Sequence, residues 1–224
     1  WLVFNMDPLT AICHAFTTFS TGGFSTRDAS IAAFNSPALE ITLSFFMLLA
    51  GVNFALYFNA LQSRSLKGFS RSTEFIVYTA LVIVGTLALT VGVYSVHPNF
   101  FVALRYAFFA VCATITSTGF GTDDYMAYPA SGILIIVVLM FVGGSAGSTA
   151  GGIKVSRVVM MTKLAWNQIR QSLRPNLIQS VRMSGGSVPV DVLNGVGAFI
   201  MVFAISIGAG TMLLILTECI PVGT

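Results

Sequence analysis

Three long apolar runs set the strongest limit on what this chain can fold into. They cover residues 39–61, 75–96 and 192–217, and Glu40 is the only charged residue within them. At a rise of about 1.5 Å per residue, helices of these lengths cross a hydrocarbon core of about 30 Å. The whole chain is 55% hydrophobic and 8% charged, whereas soluble domains carry about a quarter charged residues. The sequence therefore predicts an all-α membrane protein.

Basic residues are concentrated in two places between these runs. Arg64, Lys67 and Arg71 follow the first run, and six further Lys or Arg residues lie between positions 154 and 182. The positive-inside rule places both groups on the cytoplasmic side. We therefore predict cytoplasmic loops at 62–74 and 171–190 of a multi-pass protein in the cytoplasmic (inner) membrane. Such surfaces attract anionic membrane lipid, and a net charge of +3 is too small to indicate nucleic-acid binding.

Two other apolar stretches are too short to cross the bilayer. Residues 8–18 and 99–113 each lead into a polar segment, which reads TTFSTGGFST at 17–26 and TITSTGFGTDD at 114–124. Short apolar segments of this kind are typical of re-entrant helices. The polar segments align when Gly22 is placed on Gly119, which predicts an internal repeat. The alternative is that their small residues mark close helix packing.

The predicted repeat unit consists of a span, a short re-entrant pore helix, a polar loop and a second span. Repeated units of this kind are arranged around an axis in channels and transporters, so we expect a central pore. Residues 1–61 would form a unit that lacks its first span, 75–170 a complete unit with a broken second span, and 191–224 the first span of a further unit. The chain has neither an initiator Met nor a signal-peptide pattern, so we expect an internal piece of a longer protein.

The two polar segments offer backbone carbonyls to a dehydrated monovalent cation. Non-helical backbone within a bilayer is tolerated only where it is buried in protein or lines a wet cavity. In potassium channels, carbonyl oxygens of TVGYG loops replace the water shell of K⁺. We therefore predict an ion filter formed by Ser20, Thr21, Gly22, Gly23, Phe24, Ser117, Thr118, Gly119, Phe120 and Gly121. The predicted K⁺ ligands are the backbone carbonyls of Thr21, Gly22, Thr118 and Gly119.

The two segments differ in their likeness to TVGYG. The second segment matches both glycines and the aromatic residue, whereas the first has Gly23-Phe24 where this alignment gives the second Phe120-Gly121. We expect ion selectivity to be weakest at that difference.

These two segments and a third one resemble a known family. The resemblance is carried by CHAF at 13–16, FSTGGFST at 19–26, TGFGTD at 118–123 and GGSAGSTAGGIKV at 143–155. Over essentially its full length the chain resembles the TrkH/KtrB family of bacterial potassium uptake proteins, part of the Trk/Ktr/HKT superfamily. The third segment favours the TrkH branch.

The resemblance implies several properties of the whole protein. The family has four repeat units in one polypeptide, so the first unit and the fourth filter segment would lie outside this chain. Its members take up potassium across the cytoplasmic membrane, which implies a transporter and not an enzyme. K⁺ would be the transported ion, with no cofactor held by this chain. A homodimer docked on a cytoplasmic ring of nucleotide-binding regulatory domains is also implied.

A Gly-rich segment interrupts the apolar stretch that follows the second polar segment. Residues 132–142 reach about half of the way across a bilayer, so we expect a loop at membrane depth and a helix that resumes at Ile153. In the family this loop is a gate beneath the filter. The implied gate loop consists of Gly143, Gly144, Ser145, Ala146, Gly147, Ser148, Thr149, Ala150, Gly151, Gly152 and Lys154. Lys154 either contributes to the gate or is an interfacial Lys whose ammonium reaches water.

The Gly-rich segment also fits other patterns. Its glycines form a GxxxG series, which is typical of packed helices. GGSAG matches the GxSxG nucleophile elbow, but that elbow needs a strand before it and a His after it, and His14 and His97 both precede Ser145. A phosphate loop would need Ser or Thr directly after the Lys, and Val155 occupies that position.

The alternative function is a secondary transporter with re-entrant hairpins for a small organic solute. Such a site needs several polar side chains that converge near the middle of the membrane. The apolar runs offer few of these, such as Asn53 and Asn59.

Overall fold

The computed structural model describes residues 6–97, 99–174 and 180–218. The predictions for 1–5, 175–179 and 219–224, which include the beginning of the first predicted unit and the end of the last, lie outside the described residues. The chain divides into two compact units, of which the first ends at Ser156 and the second begins at Arg157.

The described residues are mainly helical, and the predicted all-α membrane fold is confirmed. The helices are α1 (Pro8–Phe19), α2 (Pro37–Ala50), α3 (Phe54–Ser63), α4 (Lys67–Arg71), α5 (Thr73–Val93), α6 (Phe100–Ile115), α7 (Ala130–Val142), α8 (Val155–Leu173) and α9 (Val190–Glu218). Short 3₁₀ turns occupy Ser30–Phe34 and Tyr125–Ala127, and a hairpin is formed by β1 (Arg182–Met183) and β2 (Gly186–Ser187). By length and apolar composition, α5 and α9 can each span a membrane.

Most helices of the first unit begin at a side-chain cap that the sequence supplies. Asp7 accepts a hydrogen bond from the backbone N–H of Thr10 at 2.9 Å, and Ser36 caps α2 in the same way through Leu39. Pro8 is at the start of α1, where a missing N–H costs nothing. The hydrogen bonds from Thr10 hold the pKa of the Asp7 carboxyl below its usual value.

The predicted span over 39–61 is not a single helix, because the run is broken into α2 and α3. The two helices meet at 84° across a break at 51–53. Asn53 begins α3 by accepting a hydrogen bond from the N–H of Ala55 at 2.8 Å. The hydroxyl of Tyr57 donates to the carbonyl of Leu49, and that of Tyr78 donates to the carbonyl of Leu48. These tyrosines satisfy carbonyls that a continuous helix would have paired internally.

The first unit is organised around α6, which packs against α2, α5 and α7. Small side chains on α6 allow this close packing; the fully buried ones are Ala103, Ala107, Ala110 and Cys112. Phe109 of α6 and Met47 of α2 belong to one buried cluster, which also contains Phe120 from the segment after α6. The predicted pore helix of the complete repeat is therefore the central element of this unit.

The second unit contains most of α8, the hairpin and α9. Lys163 of α8 donates a hydrogen bond to the carbonyl of Arg182 at 2.7 Å, and the guanidinium of Arg157 lies 4.0 Å from the ring centre of Phe199. The stretch 171–190, predicted as a loop, thus contains a short hairpin.

Gly51 lies at the break of the first span, where side chains of neighbouring segments pack closely against its backbone. A Cβ at this position would lie 2.5 Å from the hydroxyl oxygen of Tyr78 and 3.0 Å from Cγ2 of Thr116. We expect Gly51→Ala to destabilise the full-length protein in detergent by about 1–3 kcal/mol, as overpacking typically does, measured by thermal unfolding. Gly208→Ala is the control, since among the described residues no atom outside its own stretch of helix backbone lies within 4 Å of that Cβ. Equal stability of the two variants would contradict the prediction.

Candidate ion filter and gate loop

The polar segments after α1 and α6 form turns with the same backbone conformation. Thr21 and Ser117 both have positive φ values, of 52° and 57°, and two residues later Gly23 and Gly119 have φ values of 67° and 80°. A positive φ is uncommon for Thr and Ser, which have a Cβ. We call these segments, 20–26 and 116–122, the first and second filter turns.

Backbone hydrogen bonds repeat in the same register. In the first turn the N–H groups of Gly22 and Gly23 both donate to the carbonyl of Thr17. In the second turn the N–H groups of Thr118 and Gly119 both donate to the carbonyl of Ala113. The internal repeat predicted from sequence is therefore present in the structure as two equivalent turns at the ends of two short helices.

The predicted alignment of Gly22 with Gly119 is wrong by one residue. The φ values and hydrogen bonds place Gly23 on Gly119 and Phe24 on Phe120. The supposed difference at Gly23-Phe24 therefore disappears, and with it the reason for expecting the weakest selectivity there. The turns differ instead where Gly22 corresponds to Thr118. Comparison of residue types gave the wrong register because both segments contain Ser-Thr-Gly. This tripeptide begins one residue later in the second turn than in the first.

The four carbonyls predicted to bind K⁺ have no hydrogen-bond donor within the described part of the chain. Those of Thr21, Gly22, Thr118 and Gly119 accept no hydrogen bond from any described residue. The carbonyls of Gly23 and Ser117 likewise accept no hydrogen bond from a described residue. Later in the second turn, the carbonyl of Phe120 accepts from the hydroxyl of Tyr125, and that of Gly121 accepts from two backbone N–H groups. The unpaired oxygens are thus grouped within the two turns.

The two filter turns lie against each other. A Cβ added to Gly23 would overlap the carbonyl oxygen of Thr118. Gly23 therefore has to be glycine for two reasons, its positive φ and this contact. The structure therefore brings predicted filter residues of the two turns together, with Gly23 against Thr118.

The equivalent aromatic residues of the two turns have different surroundings. The Phe120 side chain is 0% exposed and Phe24 is 76% exposed. Phe120 stacks on the ring of His14 in α1, with centroids 5.9 Å apart. His14 is held by the carbonyl of Thr10 at 2.7 Å and the hydroxyl of Ser25 at 2.9 Å. His14, to which the sequence assigned no role in the filter, thus supports the second turn from the first repeat.

Residues beyond the second turn hold it from the other side. The carboxylate of Asp123 pairs with His97 at 2.7 Å and accepts from the hydroxyl of Tyr128 at 2.9 Å. Burial raises the pKa of Tyr125 and of Tyr128, so both hydroxyls stay protonated donors. On the far side of α6, Nε of Arg105 lies 3.2 Å from Glu40 of α2.

The Gly-rich segment between α7 and α8 is non-helical, as expected. Gly143, Gly147, Gly152 and Lys154 all have positive φ values between 69° and 80°. The GxxxG helix-packing interpretation is therefore wrong, because these glycines are not on a helix. The nucleophile-elbow interpretation fails as well, because helix α7 and not a strand precedes Ser145.

This segment, the predicted gate loop, binds the break in the first span. The N–H of Ser145 donates to the carbonyl of Gly51 at 2.9 Å, and the N–H of Phe54 donates to the carbonyl of Gly147 at 3.0 Å. The hydroxyl of Thr149 donates to the carbonyl of Ala50 at 3.2 Å. Two interrupted helices thus satisfy each other's backbone groups.

The gate loop also touches both filter turns. The hydroxyl of Thr21 donates to the carbonyl of Thr149 at 2.9 Å. A Cβ on Gly151 would lie 3.2 Å from the hydroxyl oxygen of Ser117. Lys154 does not extend away from the loop, since its ammonium donates to the carbonyl of Ala150. The loop and the turns therefore form one continuous set of contacts.

Paired re-entrant helices, exposed apolar spans and a loop between half-helices define a multi-pass membrane protein of the channel and transporter type. The TrkH family model, described as "Cation transport protein", matches residues 3–218. The chain belongs to the TrkH family, and the resemblance found in the sequence is confirmed.

Relatives and a solved structure agree with this assignment. The chain is 34% identical over 205 residues to the Trk system potassium uptake protein TrkH of Escherichia coli (strain K12), covering 90% of this chain and 42% of that protein. It is 33% identical over 204 residues to TrkI of Halomonas elongata, covering 91% of this chain and 41% of that protein. The crystal structure of the potassium transporter TrkH from Vibrio parahaemolyticus matches with a TM-score of 0.90 at 29% identity, over 97% of this chain and 47% of that one. The chain spans less than half the length of these relatives.

The contact between the filter turns gives a test of their packing. We expect Gly23→Ala to destabilise the full-length protein by about 1–3 kcal/mol, because its Cβ would displace the Thr118 carbonyl. Thermal unfolding in detergent measures this change. Gly121→Ala in the second turn is the control, since its Cβ would meet no heavy atom within 4 Å. If both variants unfold together with the wild type, the turns do not pack as described.

Proposed function

We propose that this chain takes part in potassium uptake across the cytoplasmic membrane, with K⁺ passing the two filter turns. The observation that carries the proposal is the set of carbonyls of Thr21, Gly22, Thr118 and Gly119, which accept no hydrogen bond from any described residue. Unpaired carbonyls are costly in a membrane unless something replaces the missing donors. A dehydrated monovalent cation does so.

The surroundings of the turns support a K⁺ site of fixed shape. A carbonyl filter distinguishes ions through the number and arrangement of its oxygens, so its backbone has to be held in place. His14, Tyr125 and the contact of Gly23 with Thr118 hold these turns from several sides. K⁺ is thus the transported substrate of the proposed site and not a resident cofactor.

We further propose that the gate loop, 143–154, controls passage through the turns. Its contacts with Thr21 and Ser117 support this role, because a loop that touches both turns can obstruct an ion that leaves them. Small residues permit such a loop to change conformation. The ammonium of Lys154, turned onto Ala150, adds a positive charge that opposes cation passage while the loop is in place.

The relatives' printed names give the proposal its substrate, since they are potassium uptake proteins of the Trk system. The proposal keeps the expected surroundings: membrane lipid, a homodimer and a cytoplasmic nucleotide-binding regulatory subunit, with residues 62–74 and 171–190 facing the cytoplasm. No catalytic reaction or nucleic-acid partner is proposed.

The organic-solute alternative is less well supported. Asn53 already caps α3 and lies against Gly147 of the gate loop, which leaves it no role in holding a solute. The proposal therefore keeps a cation and not an organic molecule as the substrate.

Ion flux tests the substrate. We expect the full-length protein in liposomes to take up ⁸⁶Rb⁺, and excess K⁺ to compete with this uptake more strongly than excess Na⁺. Gly23→Ala should reduce the preference for K⁺ over Na⁺ about tenfold, which corresponds to a change of about 1.4 kcal/mol in relative binding free energy. Gly208→Ala, which lies in α9 outside the filter turns, should preserve this preference. Equal competition by K⁺ and Na⁺ in the wild type would contradict the proposed filter.

A shortened gate loop tests the gate. We expect deletion of residues 147–149 to raise ⁸⁶Rb⁺ flux, because it removes the contacts of the loop with Phe54, Ala50 and Thr21. Deletion of residues 184–186, in the hairpin of the second unit, is the control of equal size. Unchanged or lower flux in a folded 147–149 variant would argue against the gate.

A further inference from the structure

Glu74, on the first turn of α5, reaches across the fold to the gate loop. Its Oε1 accepts a hydrogen bond from the backbone N–H of Ala146 at 2.6 Å, between residues far apart in the sequence. The Glu74 side chain is buried within the first unit. We propose that Glu74 is a latch, that is, a positioning residue that holds the gate loop against the broken span. This role rests on the proposed function and adds the residue that keeps the proposed gate closed.

The carboxylate is not needed to start its own helix. Ser72 already caps α5, since its hydroxyl oxygen accepts from the N–H of Phe75 at 3.3 Å. A carboxylate in the first turn of a helix interacts favourably with the helix N-terminus wherever it points. Its burial against the loop is therefore the feature that helix formation leaves unexplained.

The latch differs from the other hydrogen bonds described for the loop in that its acceptor is a carboxylate. The hydrogen bonds of the loop with Gly51 and Phe54 join backbone groups, so their formation does not depend on a particular side chain. Hydrogen bonds from a backbone N–H to a carboxylate are shorter and about twice as strong as those between neutral groups. Loss of the acceptor leaves the N–H of Ala146 without the partner it has here. Glu74 thus adds a charge-assisted side-chain hydrogen bond to the contacts that hold the loop.

Amide hydrogen exchange of the full-length protein tests the latch directly. We expect Glu74→Ala to speed exchange across residues 143–152 about tenfold, the change expected when a buried hydrogen bond of this strength is lost. Glu74→Gln keeps an acceptor oxygen without the charge and should give a smaller increase. Thr86→Val is the control, because Thr86 is a buried polar residue of α5 that bonds within its own helix.

Ion flux then separates the latch from the gate. With a loosened loop, Glu74→Ala should raise ⁸⁶Rb⁺ flux several-fold and leave the preference for K⁺ over Na⁺ unchanged, because the filter turns are untouched. Unchanged loop exchange in Glu74→Ala would overturn the latch, and so would equally faster exchange in α5 and α6, which indicates general destabilisation. Faster loop exchange with unchanged flux would support the latch and overturn the gate function of the loop.

Discussion

Every backbone polar group in the apolar interior of a membrane needs a partner inside the protein, and this structure depends on how that need is met where helices are interrupted. The break after α2 and the loop after α7 leave N–H and carbonyl groups that neither helix can pair. They are paired with each other, through Gly51 with Ser145 and Phe54 with Gly147. Tyrosine hydroxyls from α3 and α5 satisfy two carbonyls at the end of α2. Each interruption is therefore stabilised by the other.

The sequence predicted the helices well where length and composition decide them. The spans at α5 and α9, the two short helices and the interruption at 143–152 all follow from apolar run length and from clusters of Gly, Ser and Thr. The bend at Gly51 did not follow, because the run 39–61 is mostly apolar and its break is stabilised by Tyr57 of α3, Tyr78 of α5 and the gate loop. A contact that forms only in three dimensions leaves no local pattern.

Prediction of the candidate site was limited in a different way. The residue types pointed to both turns, but the alignment by letters was one residue out. Backbone conformation, in which Thr21 matches Ser117 and Gly23 matches Gly119, gives the true correspondence. His14 and Glu74 had no sequence signal for their contacts, since one reaches the turn of the other repeat and the other crosses from α5 to the loop. Such side chains are found only once the repeats are packed together.

The hydrogen bond from the hydroxyl of Thr21 to the carbonyl of Thr149 joins a predicted ion ligand to the gate loop in one residue. Thermodynamic linkage is reciprocal, so a contact that lets an ion in the turns alter the loop also lets the loop alter the affinity for that ion, by the same factor. An open loop and a closed loop would then differ in how tightly the filter holds its ion. In the proposed filter and gate, ion occupancy and loop opening would then be two measurements of one coupling free energy, to which Thr21 contributes.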